Sequence, residues 1–288
     1  MEKPERKGVT RPSLTRRGLI GASAAMAGLS AAPALAQSSD PFGLKGRLVQ
    51  SGYATGTATP GGQLWVDGTL RGPLDKSGAF YVGFDRDAPA SAIVEVRNGD
   101  TSLKTTLVIA PTTYDVQHVD GLPQNTVTPT DPALLERIKR EVTLKNEAFA
   151  SRLDADYFRG GFHWPLEHFV VSGHFGNQRV LNGTPASPHM GFDMAAPTGT
   201  PIHAPQKGLV VLSETDLFYE GGLLLIDHGQ GLISMYLHQS RVIARKGDIV
   251  ETGQVIGEVG AKGRATGPHL CWRLKWTDRH MDPSLMVA

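Results

Sequence analysis

Along most of the chain, apolar positions come in short runs that alternate with polar ones or are bounded by turn residues. That is the period of a strand, not of a helix. Between Leu44 and Val119 the runs are Gln63-Leu-Trp-Val-Asp67, Ala79-Phe-Tyr-Val-Gly-Phe84, Ala92-Ile-Val-Glu-Val-Arg97 and Thr105-Thr-Leu-Val-Ile-Ala110. Pro60-Gly61-Gly62, Asp75-Lys-Ser-Gly78 and Asn98-Gly99-Asp100 separate them, and Asn98-Gly99 between two such runs is a hairpin signal. This spacing predicts a small β-sandwich or barrel over residues 44–119. The period then changes once. After a linker at 120–130, Thr130 or Asp131 can cap a helix with Pro132 in its first turn. Leu134, Leu135, Ile138, Val142 and Leu144 follow at near-helical spacing, to about Leu153. From about Glu167 the strand pattern returns, in runs such as Gly208-Leu-Val-Val-Leu212, Gly222-Leu-Leu-Leu-Ile-Asp227 and His269-Leu-Cys-Trp-Arg-Leu274. A mostly β chain is expected, with a linker and connecting helix over 120–160 and an all-β core over 161–288.

Composition agrees with that class. The 34 Gly and 19 Pro, against 7% aromatic residues, suit strands and turns, and 40% apolar residues suffice for a buried core. Charge is uneven: residues 1–36 carry six Lys/Arg and two Glu, which leaves a net −3 on the remainder of a chain whose total is +1. A mildly acidic body has no footprint of nucleic-acid binding. The basic stretch ends in Thr15-Arg16-Arg17, an Ala/Gly-rich apolar run follows, and Ala34-Leu35-Ala36 closes it. This is the layout of a secretory signal, and the Arg pair points to twin-arginine export. A mature periplasmic protein starting near Gln37 is expected. No other segment approaches the ~20 apolar residues that span a bilayer, so no stable membrane insertion is expected after signal removal.

Candidate chemistry gathers in the last third. His189 and Asp193 stand four residues apart, His238 ends Met-Tyr-Leu-His, and His269 and Cys271 are alternate residues of an expected strand, so these two face the same side of a sheet. Two His, an Asp, and a Cys or further His can bind zinc through three protein ligands and leave a position open for water. Cys271 is the sole cysteine, which excludes an intramolecular disulfide. A lone Cys is in general a small buried hydrophobe, but its place two residues after His269 shifts the reading toward a metal ligand. The other histidines are expected to be structural: His163 and His168 in an aromatic connector, His203 in a strand, His228 in a hairpin turn, His280 in a late turn, and His174 near the cleft edge. Arg179 and Arg273 are candidates for carboxylate contacts. No P-loop, Gly-x-Ser-x-Gly or dinucleotide fingerprint is present, and Gly257, Gly260 and Gly263 read as turn glycines.

Residues 171–288 resemble the M23 (LytM/lysostaphin-like) zinc metallopeptidases, which cleave peptide cross-links of bacterial peptidoglycan. The matching segments run in the family order. Ser172-Gly-His-Phe-Gly-Asn-Gln-Arg179 is like the opening block, and His189-Met-Gly-Phe-Asp193 with its Ala-Ala-Pro-Thr-Gly-Thr-Pro201 tail matches the His-x-Gly-x-Asp block. Ile226-Asp-His-Gly229, Met235-Tyr-Leu-His238, Gly253-Gln-Val-Ile-Gly257 and Thr266-Gly-Pro-His-Leu270 complete the set. The resemblance implies that His189 and Asp193 are zinc ligands and that His238 and His269 activate water and steady the tetrahedral intermediate. The family's third ligand is the second His of His-x-His, where this chain has Cys271. A thiolate binds zinc at ~2.3 Å rather than ~2.0–2.1 Å, so a His/Asp/Cys site is expected, with two anionic ligands that weaken Lewis acidity. An exported zinc endopeptidase acting on peptidoglycan peptides follows, with cell-wall or divisome proteins as expected partners. Two rival expectations are a degenerate M23-like domain that binds wall or regulates an amidase, and an exported peptidase acting on proteins.

Overall fold

The computed structural model describes residues 40–288; the signal expected over 1–36 lies outside the described residues. The first strands are β1 (Lys45–Arg47), β2 (Tyr53–Thr57), β3 (Gln63–Val66), β4 (Thr69–Pro73), β5 (Ala79–Gly83), β6 (Ser91–Asn98) and β7 (Thr101–Val108). They form two sheets, ordered β1-β2-β5 and β4-β3-β6-β7, so the expected sandwich, and not a closed barrel, is what forms. Alternation decides their faces: in β6, Ala92, Val94 and Val96 are buried while Ile93 is exposed. The β6–β7 hairpin pairs Asn98 with Thr101, so its two-residue loop is Gly99-Asp100, one position later than the Asn-Gly signal suggests. Gly99 takes the positive φ of 58°.

β8 (Val116–Val119) leaves this module and pairs in parallel with β10 (Gln178–Leu181), which also carries β11 (Thr184–Ala186). The expected linker holds a short helix, α1 (Gln124–Val127), and the expected long helix is α2 (Pro132–Phe149). Asp131 caps α2, its Oδ1 accepting from the amides of Ala133 and Leu134. The buried stripe of α2 differs from the apolar one. Leu135 and Val142 are exposed, whereas Glu141 and Ala148 are buried. Glu141 turns inward because its carboxylate accepts from Arg137 Nε at 2.7 Å and from the Phe218 amide at 2.9 Å, which satisfies a backbone donor in the adjoining β-turn.

The C-terminal core is an eight-stranded sheet. β9 (Val170–Gly173), β12 (Phe192–Ala195), β14 (Gly208–Leu217), β15 (Gly221–Asp227), β16 (Leu232–Gln239), β18 (Ile249–Val250) and β20 (His269–Trp276) run in the order β18-β14-β15-β16-β20-β12-β9. The eighth, β21 (Arg279–Met281), pairs with β20. A small sheet, β13-β19-β17, is built from β13 (Pro201–His203), β17 (Arg241–Val242) and β19 (Val255–Glu258). β15 and β16 are buried along their whole length, since both faces of the sheet are covered. On one face Tyr236, Trp272, Leu274 and Trp276 join an apolar cluster that continues into Phe80, Tyr81, Val82 and Val94 of the N-terminal module. On the other, Leu225, Met235, Leu237 and Cys271 meet Leu144 and Ala148 of α2.

Candidate active site

Strand register brings the expected residues together on the second face. Asp193 of β12 lies opposite Cys271 of β20, Ala195 lies opposite His269, and Leu237 of β16 lies opposite Cys271. Paired residues share a face, so Asp193, His269 and Cys271 converge by alternation alone. His238 does not. It follows Leu237, and strict alternation would send its ring to the face of Tyr236 and Trp272. Its φ of 66° breaks the alternation, where the β15–β16 register shifts between Gly222 and Leu224. The ring comes to lie 4.7 Å from that of His269, centroid to centroid. A left-handed conformation on a non-Gly residue costs energy that the surrounding structure must offset, and such residues concentrate at functional sites.

Each imidazole is aimed by a backbone carbonyl. Nδ1 of His238 meets Lys262 O at 2.8 Å, Nδ1 of His269 meets Gly267 O at 2.8 Å, and Nδ1 of His189 meets His174 O at 3.2 Å. A carbonyl only accepts, so each Nδ1 carries the hydrogen, and in the neutral ring each Nε2 is left as a lone pair. His189 Nε2 then lies 3.1 Å from Asp193 Oδ1 and 3.4 Å from Cys271 Sγ. Burial, the largest influence, lowers the pKa of His189, so the ring favours its neutral form. Asp193 Oδ1 is buried with no hydrogen-bond partner. Two acceptor atoms facing each other at that distance in a buried place call for a cation between them. Donors at zinc's ~2.0–2.3 Å bonds in a tetrahedron stand roughly 3.3–3.8 Å apart, and the ligand atoms of His189, Asp193 and Cys271 all lie within 4.8 Å of one another. The donor set fits zinc.

Charge around the cluster is arranged in pairs. Arg179 Nη2 donates to Asp193 Oδ2 at 2.7 Å. Burial pushes the Asp193 carboxyl up, but the positive charge beside it, that of the Arg179 guanidinium in particular, outweighs this and holds the group well below the ordinary range. Arg273 Nε donates to Cys271 Sγ at 3.3 Å; even so, burial pushes the thiol up to about 12, so it needs a metal to act as a thiolate at neutral pH. Burial, with His269 adding to it, pushes His238 down to about 3. Two glycines let the strands approach. A Cβ on Gly173 would sit 2.6 Å from Asp193 Oδ2, and one on Gly191 would sit 2.8 Å from Cys271 Sγ.

The remaining candidates fall elsewhere. His163 and His168 are exposed and His203 is half-buried in β13. His228 ends the β15 turn fully buried, bonded to Lys207 O and Ser234 Oγ. His280 lies within β21 and not in a turn. His174 serves through its carbonyl, which aims His189. Arg179 and Arg273 both reach the site but spend a donor on Asp193 and Cys271. Two features carry no sequence signal. The segment after β8 walls the cleft, where Leu122 and Asn182 bond to each other through amide and carbonyl. Arg264, in a Gly/Ala/Thr loop, also lines it.

Comparison with known proteins meets the same segment. Residues 187–283 match the model of peptidase family M23. The peptidoglycan DD-endopeptidase ShyA of Vibrio cholerae is 39% identical over 105 residues, 36% of this chain and 24% of that protein. The DD-carboxypeptidase/endopeptidase Mpg of Neisseria meningitidis is 34% identical over 126 residues, 43% of this chain and 29% of that one. The chain thus spans about a quarter of the length of these curated relatives. Among solved structures, that of a candidate M23 peptidase from Pseudomonas aeruginosa superposes with a TM-score of 0.65 at 28% identity, covering 84% of this chain and 95% of the other. The matched segment holds His189, Asp193, His238, His269 and Cys271 together, so residues 187–283 of this chain are similar to peptidase family M23.

Proposed function

We propose that this protein is an exported zinc endopeptidase that hydrolyses an amide in the cross-links or stem peptides of peptidoglycan. The observation that carries the reading is the pair of unprotonated acceptors, His189 Nε2 and Asp193 Oδ1, 3.1 Å apart beside Cys271 Sγ, in a cleft also lined by His238 and His269. His189, Asp193 and Cys271 would hold the metal. Zinc supplies Lewis acidity, which polarises a scissile carbonyl and acidifies water. The two other imidazoles do the proton work. Each has Nδ1 committed to a carbonyl and Nε2 free, so Nε2 can take the proton of the attacking water and return it to the leaving amine. His269 Nε2 stands 3.9 Å from Asp193 Oδ1, next to the position of the reacting groups. His238, more deeply buried and neutral, presents Nε2 as an acceptor that can orient the attacking water. The substrate class rests on the relatives' names, and export on the Arg16-Arg17 leader. Among the described residues no helix is long and apolar enough to cross a membrane.

Zinc-replete residues 37–288 incubated with isolated sacculi test this, with muropeptides weighed by mass spectrometry beside a His189→Ala control. Cross-linked dimers becoming monomers only with the unmutated protein is the expected result. One observation favours a second reading, a wall-binding or regulatory domain without catalysis: the third ligand is a buried thiol with a pKa pushed up to about 12. Sacculi bound but chemically unchanged, by a protein without stoichiometric zinc, would select that reading.

A further inference from the structure

Three guanidinium groups surround the cleft, and two of them are matched. Arg179 is paired with the Asp193 carboxylate and Arg273 with the Cys271 sulfur. Arg264 has no such partner. Among the described residues no carboxylate lies within ion-pair distance of it. Its polar side-chain contact is a long one, 3.4 Å from Nη1 to Thr126 O, and its guanidinium lies 4.8 Å from the centre of the Tyr219 ring. Glu220, an acidic neighbour, is already paired with Lys145. Burial and the like charges of Arg273 and Arg179 lower the pKa of Arg264, which marks a charge that would gain from an anion.

Its position specifies where that anion would be. Arg264 lines the metal-side cleft together with His238 and His269. It also lines an adjoining chamber of about 550 Å³ with Arg179, Arg273 and His280, which is within the range of peptide-sized sites. With a divalent cation added to the two anionic ligands and three guanidinium groups, the centre carries surplus positive charge. A planar guanidinium fork matches a carboxylate in two parallel hydrogen bonds.

We propose that Arg264 is a specificity residue that takes a free carboxylate of the peptide substrate, flanking the scissile amide where the cleft opens into the larger chamber. This rests on the peptidase reading of the same site. It makes the protein selective for stem peptides whose carboxylates are free over those in which they are amidated.

The test is a binding measurement that needs no turnover. A cross-linked muropeptide dimer with free carboxylates and the same dimer fully amidated are titrated calorimetrically into the zinc-loaded His238→Ala protein, and into that protein carrying Arg264→Gln or Arg264→Lys. The parent is expected to bind the free acid about 10–100-fold more tightly, the range of a charge-assisted bond. Arg264→Gln should erase that ratio while zinc stays at one per chain, and Arg264→Lys, with charge but no fork, should keep part of it. Equal affinity of the parent for both dimers overturns the proposal, as does a preference that survives in Arg264→Gln. A loss that falls equally on both dimers also overturns it, since it would make Arg264 a prop for Thr126 and Tyr219. The two readings separate by outcome: discrimination by the parent together with no hydrolysis of either dimer by the zinc-loaded unmutated protein removes the peptidase and keeps the carboxylate site, whereas no binding of either dimer removes both.

Discussion

Replacing Cys271 by Ser keeps the size of the side chain but removes the sulfur donor from the His189–Asp193–Cys271 cluster. Zinc affinity in a chelator competition should fall by more than the 10–100-fold that outer-shell changes cost. The cobalt-substituted native protein should show a near-ultraviolet thiolate-to-metal charge-transfer band that Cys271→Ser lacks. Absence of that band in the native protein would remove Cys271 from the ligand set. Cys271→His restores a neutral donor, and activity on sacculi should persist or rise; abolished activity would show that the thiolate has a specific role. The glycines are equally specific. Gly173→Ala puts a methyl 2.6 Å from Asp193 Oδ2, so it should weaken zinc binding about tenfold or more while leaving the far-ultraviolet CD spectrum intact. His189, Asp193, His269 and Cys271 were legible as chemistry because their spacing puts polar donors where a strand pattern expects apolar residues. Arg264 was not, because one Arg in a glycine loop has no pattern to violate.

At the scale of elements, the connecting helix shows what periodicity reads and what it misses. Its start was legible from Asp131-Pro132, and Asp131→Ala should cost about 1 kcal/mol in urea unfolding. Its buried face was not, because Glu141 goes inside to serve the Phe218 amide. Glu141→Ala leaves that buried donor unpaired and should cost about 1–3 kcal/mol, more than loss of the cap. Equal costs would mean that water replaces the carboxylate. β16 makes the corresponding point for strands. Its residues could be assigned from their apolar run, but the turn of His238 onto the site face depends on a backbone irregularity that no residue type announces.

For the whole molecule, the continuous apolar cluster makes the two modules one folding unit among the described residues. Tyr81 of β5 packs against Phe158 and Trp276, with ring centroids 5.6 and 6.1 Å away, and its hydroxyl donates to Met286 Sδ. Tyr81→Ala should cost about 3–5 kcal/mol and lower Tm by roughly 10 °C. Fluorescence and CD should still report one coincident transition; two separate transitions in the native protein would show modules that fold independently. Stability should also depend on pH through His228, which burial pushes down to about 4 from 6.5. Between these values the unfolded chain binds a proton that the folded chain refuses. The contribution is therefore complete above about 6.5 and is lost as the pH falls toward 4, by a few kcal/mol. Thermal melts from pH 7.5 to 4 should show this fall, and His228→Gln should flatten part of it, with His280 supplying another part in the same direction.

The sequence by itself determined the class of the protein. Alternating apolar runs require sheets, a capped 3.6-residue run requires a helix, and four polar residues at family spacing, with Cys271 beside them, mark the candidate site. These are local properties, set by side-chain period and by chemistry that depends on residue type. Tertiary structure decided what depends on distant partners. Among the described residues it set which face His238 takes, which carbonyl aims each imidazole, which cleft arginines have an anionic partner and which has none, and how the segment after β8 comes to wall the cleft. Residues far apart in the chain meet in these contacts, and what each contributes is determined by the groups that surround it after folding.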